Sequence, residues 1–186
     1  MTIIFVSNVL NHHQIPFCEK LYKICDEFYF IVTECISNIG YQQSITANYV
    51  LDYFEDKNRS HCEKLILRAD VVIFGSCPNS LIALRVKEHK LSFLYSERFF
   101  KKGIWRRFIP TTQKKIIERV VKYKNEPLYV LCASAYTAYD LTLCGFPAEK
   151  CFKWGYFPAI KSYDPDLLIQ KKHPEKNRLL WAGRFL

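Results

Sequence analysis

No stretch of the 186 residues approaches the ~18 consecutive apolar positions of a membrane-spanning helix. The opening Met1-Thr2-Ile3-Ile4-Phe5-Val6-Ser7-Asn8 lacks the basic n-region and the long apolar core of a secretory signal. These absences lead to the expectation of a cytoplasmic protein. Eight cysteines are present, at 18, 25, 35, 62, 77, 132, 144 and 151, but no two have C-x-x-C spacing. That argues against a zinc ribbon and a thioredoxin-type redox motif, and it favours reduced, packed thiols. Also missing are G-x-G-x-x-G, a P-loop, an acidic cluster after the first strand, and any internal repeat. Dinucleotide, mononucleotide and response-regulator readings therefore lose their signatures.

What remains is an alternating pattern. Ile3–Val6, Phe28–Val32, Tyr49–Phe54, Val71–Phe74, Leu91–Tyr95, Leu128–Cys132 and Cys151–Trp154 read as strands. Between them, 13–26, 57–68, 79–89, one or two basic helices over 103–124 broken at Pro110, and 134–144 carry helical spacing, with Gly145 ending the last. Asn11 or His12 is the expected cap of the first helix, and Pro16 falls in its first turn. Strands alternating with helices predict an α/β fold, a Rossmann-like doubly wound parallel sheet. One such domain accounts for residues 1–157. Residues 158–177 are polar, contain three prolines and read as a linker, and 178–186 restart a buried strand that would open a second domain.

In open α/β sheets ligands sit outside the C-terminal ends of the strands, so candidate groups are sought there. After the first strand, Asn8, Asn11, His12, His13 and Gln14 supply amides and imidazoles at a helix N-terminus, where N–H groups and the dipole favour an anion. Capping and loop satisfaction are the plain alternative. A metal site is not expected, because adjacent helical histidines point about 100° apart and no third ligand is evident. Ser76 follows the fourth strand. Glu97 and Arg98 follow the fifth and could orient a hydroxyl-rich ligand, or form an internal ion pair. Ser134 and Tyr136 begin a helix rich in small residues.

The net charge of +9 is concentrated: residues 101–124 hold nine Lys/Arg against one Glu. There Lys101, Lys102, Arg106 and Arg107 interleave with Trp105, Phe108 and Ile109. Docking on an anionic membrane, an ordinary amphipathic surface and nucleic-acid binding all fit such a segment. No nucleic-acid module accompanies it, so no nucleic-acid partner is expected.

Taken in order, Phe5-Val6-Ser7-Asn8, Asn11-His12-His13-Gln14-Ile15-Pro16, Tyr95-Ser96-Glu97-Arg98, Cys132-Ala133-Ser134-Ala135-Tyr136-Thr137 and Lys153-Trp154-Gly155-Tyr156-Phe157 resemble bacterial family-4 glycosyltransferases. Trp181-Ala182-Gly183-Arg184 resembles the first strand of that family's second domain. The resemblance implies one half of a GT-B architecture, in which an N-terminal domain holds the acceptor and a C-terminal domain holds the nucleotide-sugar. It implies a hexosyltransferase that retains anomeric configuration without a metal or other cofactor. It places Arg184 beside the donor diphosphate, and it makes a C-terminal donor domain, absent from these 186 residues, a necessary partner for activity. The expected function is the acceptor half of an enzyme transferring a sugar to a glycan or lipid-linked acceptor, peripheral to a membrane. A non-catalytic sugar- or anion-binding module and a basic membrane-interaction domain are the alternatives.

Overall fold

The computed structural model describes residues 1–35 and 47–171. The expected strand over 178–186, and with it Arg184, and the end of the expected linker, 172–177, lie outside the described residues. The described chain forms β1 (Thr2–Ser7), α1 (Ile15–Ile24), β2 (Glu27–Val32), β3 (Val50–Asp52), α2 (Asp56–Arg68), β4 (Val71–Phe74), α3 (Asn79–Val86), β5 (Ser92–Ser96), α4 (Pro110–Arg119), β6 (Leu128–Cys132), α5 (Thr137–Thr142), β7 (Cys151–Lys153) and α6 (Pro165–Gln170).

The seven strands make a single sheet in the order β3-β2-β1-β4-β5-β6-β7, and every pairing is parallel. This is the Rossmann-like doubly wound arrangement expected from the sequence. Its central strands are continuous apolar runs because both faces are covered. Along β1, Ile4 and Val6 enter one core with Val72, Phe74, Leu94 and Val130, under Leu65 and Ile66 of α2, Leu81 and Ile82 of α3, and Ile116 of α4. Ile3 and Phe5 point the other way, into a core with Phe28, Phe30 and Cys18 of α1. Each such side chain contributes about 1.5–3 kcal/mol through burial.

Arg85 is the largest side chain hidden completely among the described residues. Its guanidinium donates to the carbonyls of Ile66 (2.8 Å), Leu67 (3.2 Å), Asp70 (3.0 Å) and Leu91 (3.1 Å). It thereby satisfies the open C-terminal end of α2 and ties it to the start of β5, where a carbonyl cluster offsets the cation. Burial pushes its pKa down from the usual arginine value.

Several local expectations shift. The cap of α1 is Gln14, not Asn11 or His12: a turn over 11–14 precedes the helix, and the Gln14 side chain reaches back to accept from the Asn11 N–H at 2.9 Å. Edge strand β3 is shorter than 49–54, and α5 begins at Thr137 instead of 134. Pro110 does not merely interrupt the basic segment. It starts α4, where its missing N–H costs nothing, and Ile104–Phe108 before it is a short 3-10 turn. Gly145, at φ 84°, closes α5 in the left-handed conformation that suits glycine. All eight cysteines are free thiols. Residues 158–171 are exposed and include the six-residue α6, capped by Asp164 accepting from the Asp166 N–H.

Candidate functional site

The sheet order reverses between β1 and β4, whose successors depart in opposite directions and leave a crevice between them. A cleft of about 360 Å³ opens there. Such a volume is at the small end of the range for ligand sites, roughly 300–1,000 Å³. Asn8, Asn11, His13 and Gln14 line it from the β1 side, Gly75 and Ser76 from β4, and Ser96, Glu97 and Arg98 from β5. The polar groups sought at the strand ends thus converge on one place, with exceptions. His12 is exposed and outside the lining, although its ring meets that of His13 edge-on at 5.3 Å. Ser134 faces a neighbouring hollow beside Cys132 and Trp154, and Tyr136 projects into solvent.

The floor is built by close approach. A Cβ on Gly75 would lie 2.7 Å from the Ser7 hydroxyl oxygen, so any larger residue there would force the Ser7 side chain to shift where β4 leaves the sheet beside the end of β1. The Gly75 N–H donates to the Val6 carbonyl at 2.7 Å, which extends the β1–β4 ladder to the cleft. Arg119 of α4 secures the loop after β4 by donating to the carbonyls of Gly75 (2.6 Å) and Cys77 (2.9 Å) and to Asn79 Oδ1 (2.8 Å).

On the opposite wall Glu97 and Arg98 do not pair with each other. Glu97 accepts from the Lys101 ammonium and the Tyr156 hydroxyl. Arg98 Nε donates to Asp140 Oδ2 at 3.2 Å, and the same oxygen accepts the Phe100 N–H at 2.9 Å. Asp140 is wholly buried, whereas the Arg98 side chain retains 28% exposure and its guanidinium lies 4.8 Å from the Tyr136 ring centroid. Asp140 is therefore a positioning group that fixes Arg98 at the rim and binds the loop after β5 to α5.

A third wall comes from the segment after β7. Phe17, Trp154 and Phe157 form an aromatic cluster, with Phe17 stacked on Phe157 at 5.5 Å and edge-on to Trp154 at 5.4 Å. That cluster holds Tyr156 against His13, ring to ring at 4.5 Å, and near Tyr95 at 6.2 Å. Partial burial, then the nearby His12, lower the His13 pKa from its ordinary 6.5. His13 therefore enters the cleft neutral at pH 7, able to donate from one ring nitrogen and accept at the other. Burial also pushes the Tyr95 phenol up to about 12, so it stays protonated.

Arg119 and the cleft-facing role of Lys101 were invisible from sequence. Both lie in the basic segment, where residue type alone cannot separate a wall of the cleft from a solvated face. Of the patch assigned to membrane contact, Lys102, Trp105 and Phe108 are exposed, and Arg106 and Arg107 pack over Trp105 (5.9 Å) and Phe108 (4.5 Å). Among the described residues no group of three His, Cys, Asp or Glu side chains could hold a metal, and no helix is long and apolar enough to cross a membrane.

No family model and no curated protein matches the chain. A solved structure does: UDP-GlcNAc 2-epimerase from Methanocaldococcus jannaschii, at 17% identity and a TM-score of 0.54, over 84% of this chain and 46% of the epimerase chain. At that identity the likeness concerns the fold. The class thus established is an α/β Rossmann-like domain of the GT-B kind, its cleft at the topological switch point. The particular structure it resembles is about twice as long, and this chain corresponds to somewhat less than half of it.

Proposed function

We propose that this domain is the acceptor-binding half of a retaining glycosyltransferase that moves a sugar from a nucleotide-sugar to a glycan or lipid-linked acceptor. The observation that carries the reading is the cleft's lining. Amides (Asn8, Asn11), an imidazole (His13), hydroxyls (Ser7, Ser76), a carboxylate (Glu97) and fixed cations (Arg98, Arg119) surround a small space. That mixture of donors and acceptors suits a polyhydroxylated ligand, and Tyr95 and Tyr156 offer ring surface for a sugar face. The resemblance to family-4 enzymes points the same way.

In this reading the cleft orients and partly desolvates the acceptor hydroxyl. Neutral His13 and Glu97 hold neighbouring hydroxyls, and neither is assigned as general base, because the departing diphosphate can take the proton. A second domain, beginning near residue 178, presents the donor, with Arg184 beside its diphosphate where a cation stabilises developing negative charge without a metal. Exposed Trp105 and Phe108 among Lys101, Lys102, Arg106 and Arg107 support a seat on an anionic membrane surface, close to a lipid-linked acceptor.

Sugar-nucleotide epimerisation is a second reading, favoured by the solved structure the fold resembles. One experiment separates the two. The full-length protein is incubated with labelled nucleotide-sugars, with and without a lipid and glycan extract, and products are followed by NMR. Label appearing in the extract with its anomeric configuration retained supports transfer. Inversion at a ring carbon of the nucleotide-sugar, with no acceptor required, replaces it by epimerisation.

A further inference from the structure

Beside the cleft, and sharing Arg98, Phe99 and Lys101 with it, lies a second cavity of about 410 Å³. Its charged lining is entirely cationic: Arg98, Lys101, Lys102, Arg106 and Lys115. Two of these have acidic partners, Arg98 in Asp140 and Lys101 in Glu97. Among the described residues, no ion pair engages Lys102, Arg106 or Lys115. Thr111 and Thr112 complete the polar wall, and they sit in the first turn of the ten-residue α4, a turn with no acidic side chain.

Gathering five like charges around a concavity costs free energy, which Asp140 and Glu97 offset for Arg98 and Lys101 but which, among the described residues, no ion pair offsets for Lys102, Arg106 or Lys115. An anion of matching size adds an attraction to each of these cations and offsets their mutual repulsion. The threonine hydroxyls can donate to it, and the α4 dipole points its positive end the same way. The open concavity, lined by cations from the loop after β5 and from α4, suits a compact, multiply charged group, whereas the protruding Trp105 and Phe108 would meet a flat lipid surface.

We propose that this cavity binds a phosphate or diphosphate group, and that the acceptor is accordingly a phosphorylated sugar or a sugar on a lipid diphosphate, its glycan in the cleft and its phosphate between Lys102, Arg106 and Lys115. The second half of this statement rests on the cleft being the acceptor site, while the first half stands without it.

The test is calorimetric titration of the 186-residue chain with inorganic pyrophosphate, sulfate and a hexose 1-phosphate at low and high salt. Two variants accompany it: Lys102→Gln/Arg106→Gln/Lys115→Gln in the cavity, and Asn8→Ala/His13→Ala in the cleft. Pyrophosphate is expected to bind saturably at one site, more tightly than sulfate. The cavity triple variant is expected to lose at least tenfold in affinity, about 1.4 kcal/mol, with its circular dichroism and melting temperature unchanged. A single Lys102→Glu change should reproduce most of that loss. The cleft pair should leave pyrophosphate untouched but weaken hexose 1-phosphate. Trp105→Ala/Phe108→Ala should also leave pyrophosphate binding intact, which separates a discrete phosphate from a membrane headgroup as the source. Absence of saturable pyrophosphate binding, or equal affinity in the triple variant, overturns the proposal. If the triple variant fails to bind pyrophosphate but hexose 1-phosphate ignores the cleft pair, the phosphate site stands and the cleft reading falls.

Discussion

Replacing Asp140 tests whether the rim of the cleft is held from beneath. The carboxylate is wholly buried and accepts both the Phe100 N–H and Arg98 Nε. In Asp140→Ala the buried Phe100 N–H loses its partner, a cost of about 1–3 kcal/mol. Arg98 also loses its counter-charge. Breaking a fully buried ion pair costs about 3–5 kcal/mol, but the Arg98 side chain is 28% exposed and can rehydrate, which moderates that part. The expected total is about 2–4 kcal/mol. For a chain of this size each kcal/mol lowers the melting temperature by roughly 2–4 °C. A fall of about 4–16 °C in calorimetry is therefore expected. Asp140→Asn keeps an oxygen for the Phe100 N–H and removes only the charge, so its loss should be about 1 kcal/mol. The Asn variant should nonetheless weaken anionic ligands, because Arg98 is no longer fixed. An alanine variant that melts with the parent, or an asparagine variant as damaged as alanine, would refute the reasoning.

Three further outcomes follow from the same geometry. Gly75→Ala should push the Ser7 hydroxyl toward the cleft and weaken ligand binding, with a stability loss of about 1–3 kcal/mol from overpacking; unchanged affinity in calorimetry would mean that the floor is not part of the site. His13 has a depressed pKa, so the folded state binds fewer protons than the unfolded one below pH 6.5, and its contribution to stability, present above that pH, is lost as pH falls. An anion in the cleft favours protonated His13, so sulfate affinity there should rise as pH drops below 6.5 and the rise should vanish in His13→Gln; a flat profile in the parent would remove His13 from the anion's surroundings. Vesicles containing anionic lipid should sediment the protein at low salt and release it at high salt, and Lys102→Gln/Arg106→Gln/Arg107→Gln with Trp105→Ala should abolish this; indifference to lipid charge would reduce the patch to a solvated surface.

The fold was largely legible because the central strands of a parallel sheet are buried on both faces. Ile3–Val6, Phe28–Val32 and Val71–Phe74 can hardly be anything else, and their alternation with helices dictates the topology. Legibility fades at the edges. Among the described residues β3 pairs with β2 alone, and the turn over 134–136 before α5 is chosen by local hydrogen bonds that propensity does not register. The strand-end rule brought Asn8, Asn11, His13, Gln14, Ser76, Glu97 and Arg98 to one cleft. It could not show that Glu97 would turn to Lys101 and Tyr156, or that Arg98 would turn to Asp140, 42 positions away. Such pairings depend on where helices land after packing. Asp140 offered a faint signal, a carboxylate within the core-facing spacing of Thr137 and Leu141. Arg119 offered none, since it is one cation among nine in its segment.

Amide chemical-shift mapping tests the central claim most directly, that the switch-point cleft is where a sugar acceptor is held. The isotope-labelled chain is titrated with a panel of free hexoses, hexose 1-phosphates and a lipid-diphosphate sugar of short, soluble tail. The account predicts saturable shifts at Ser7–Gln14, Gly75–Ser76, Tyr95–Lys101 and Gly155–Tyr156, joined for the phosphorylated sugars by Lys102, Arg106 and Thr111–Ile116, with the cleft shifts removed by Asn8→Ala/His13→Ala. Shifts clustering elsewhere on the domain, or a whole panel that leaves these amides unmoved, would contradict it.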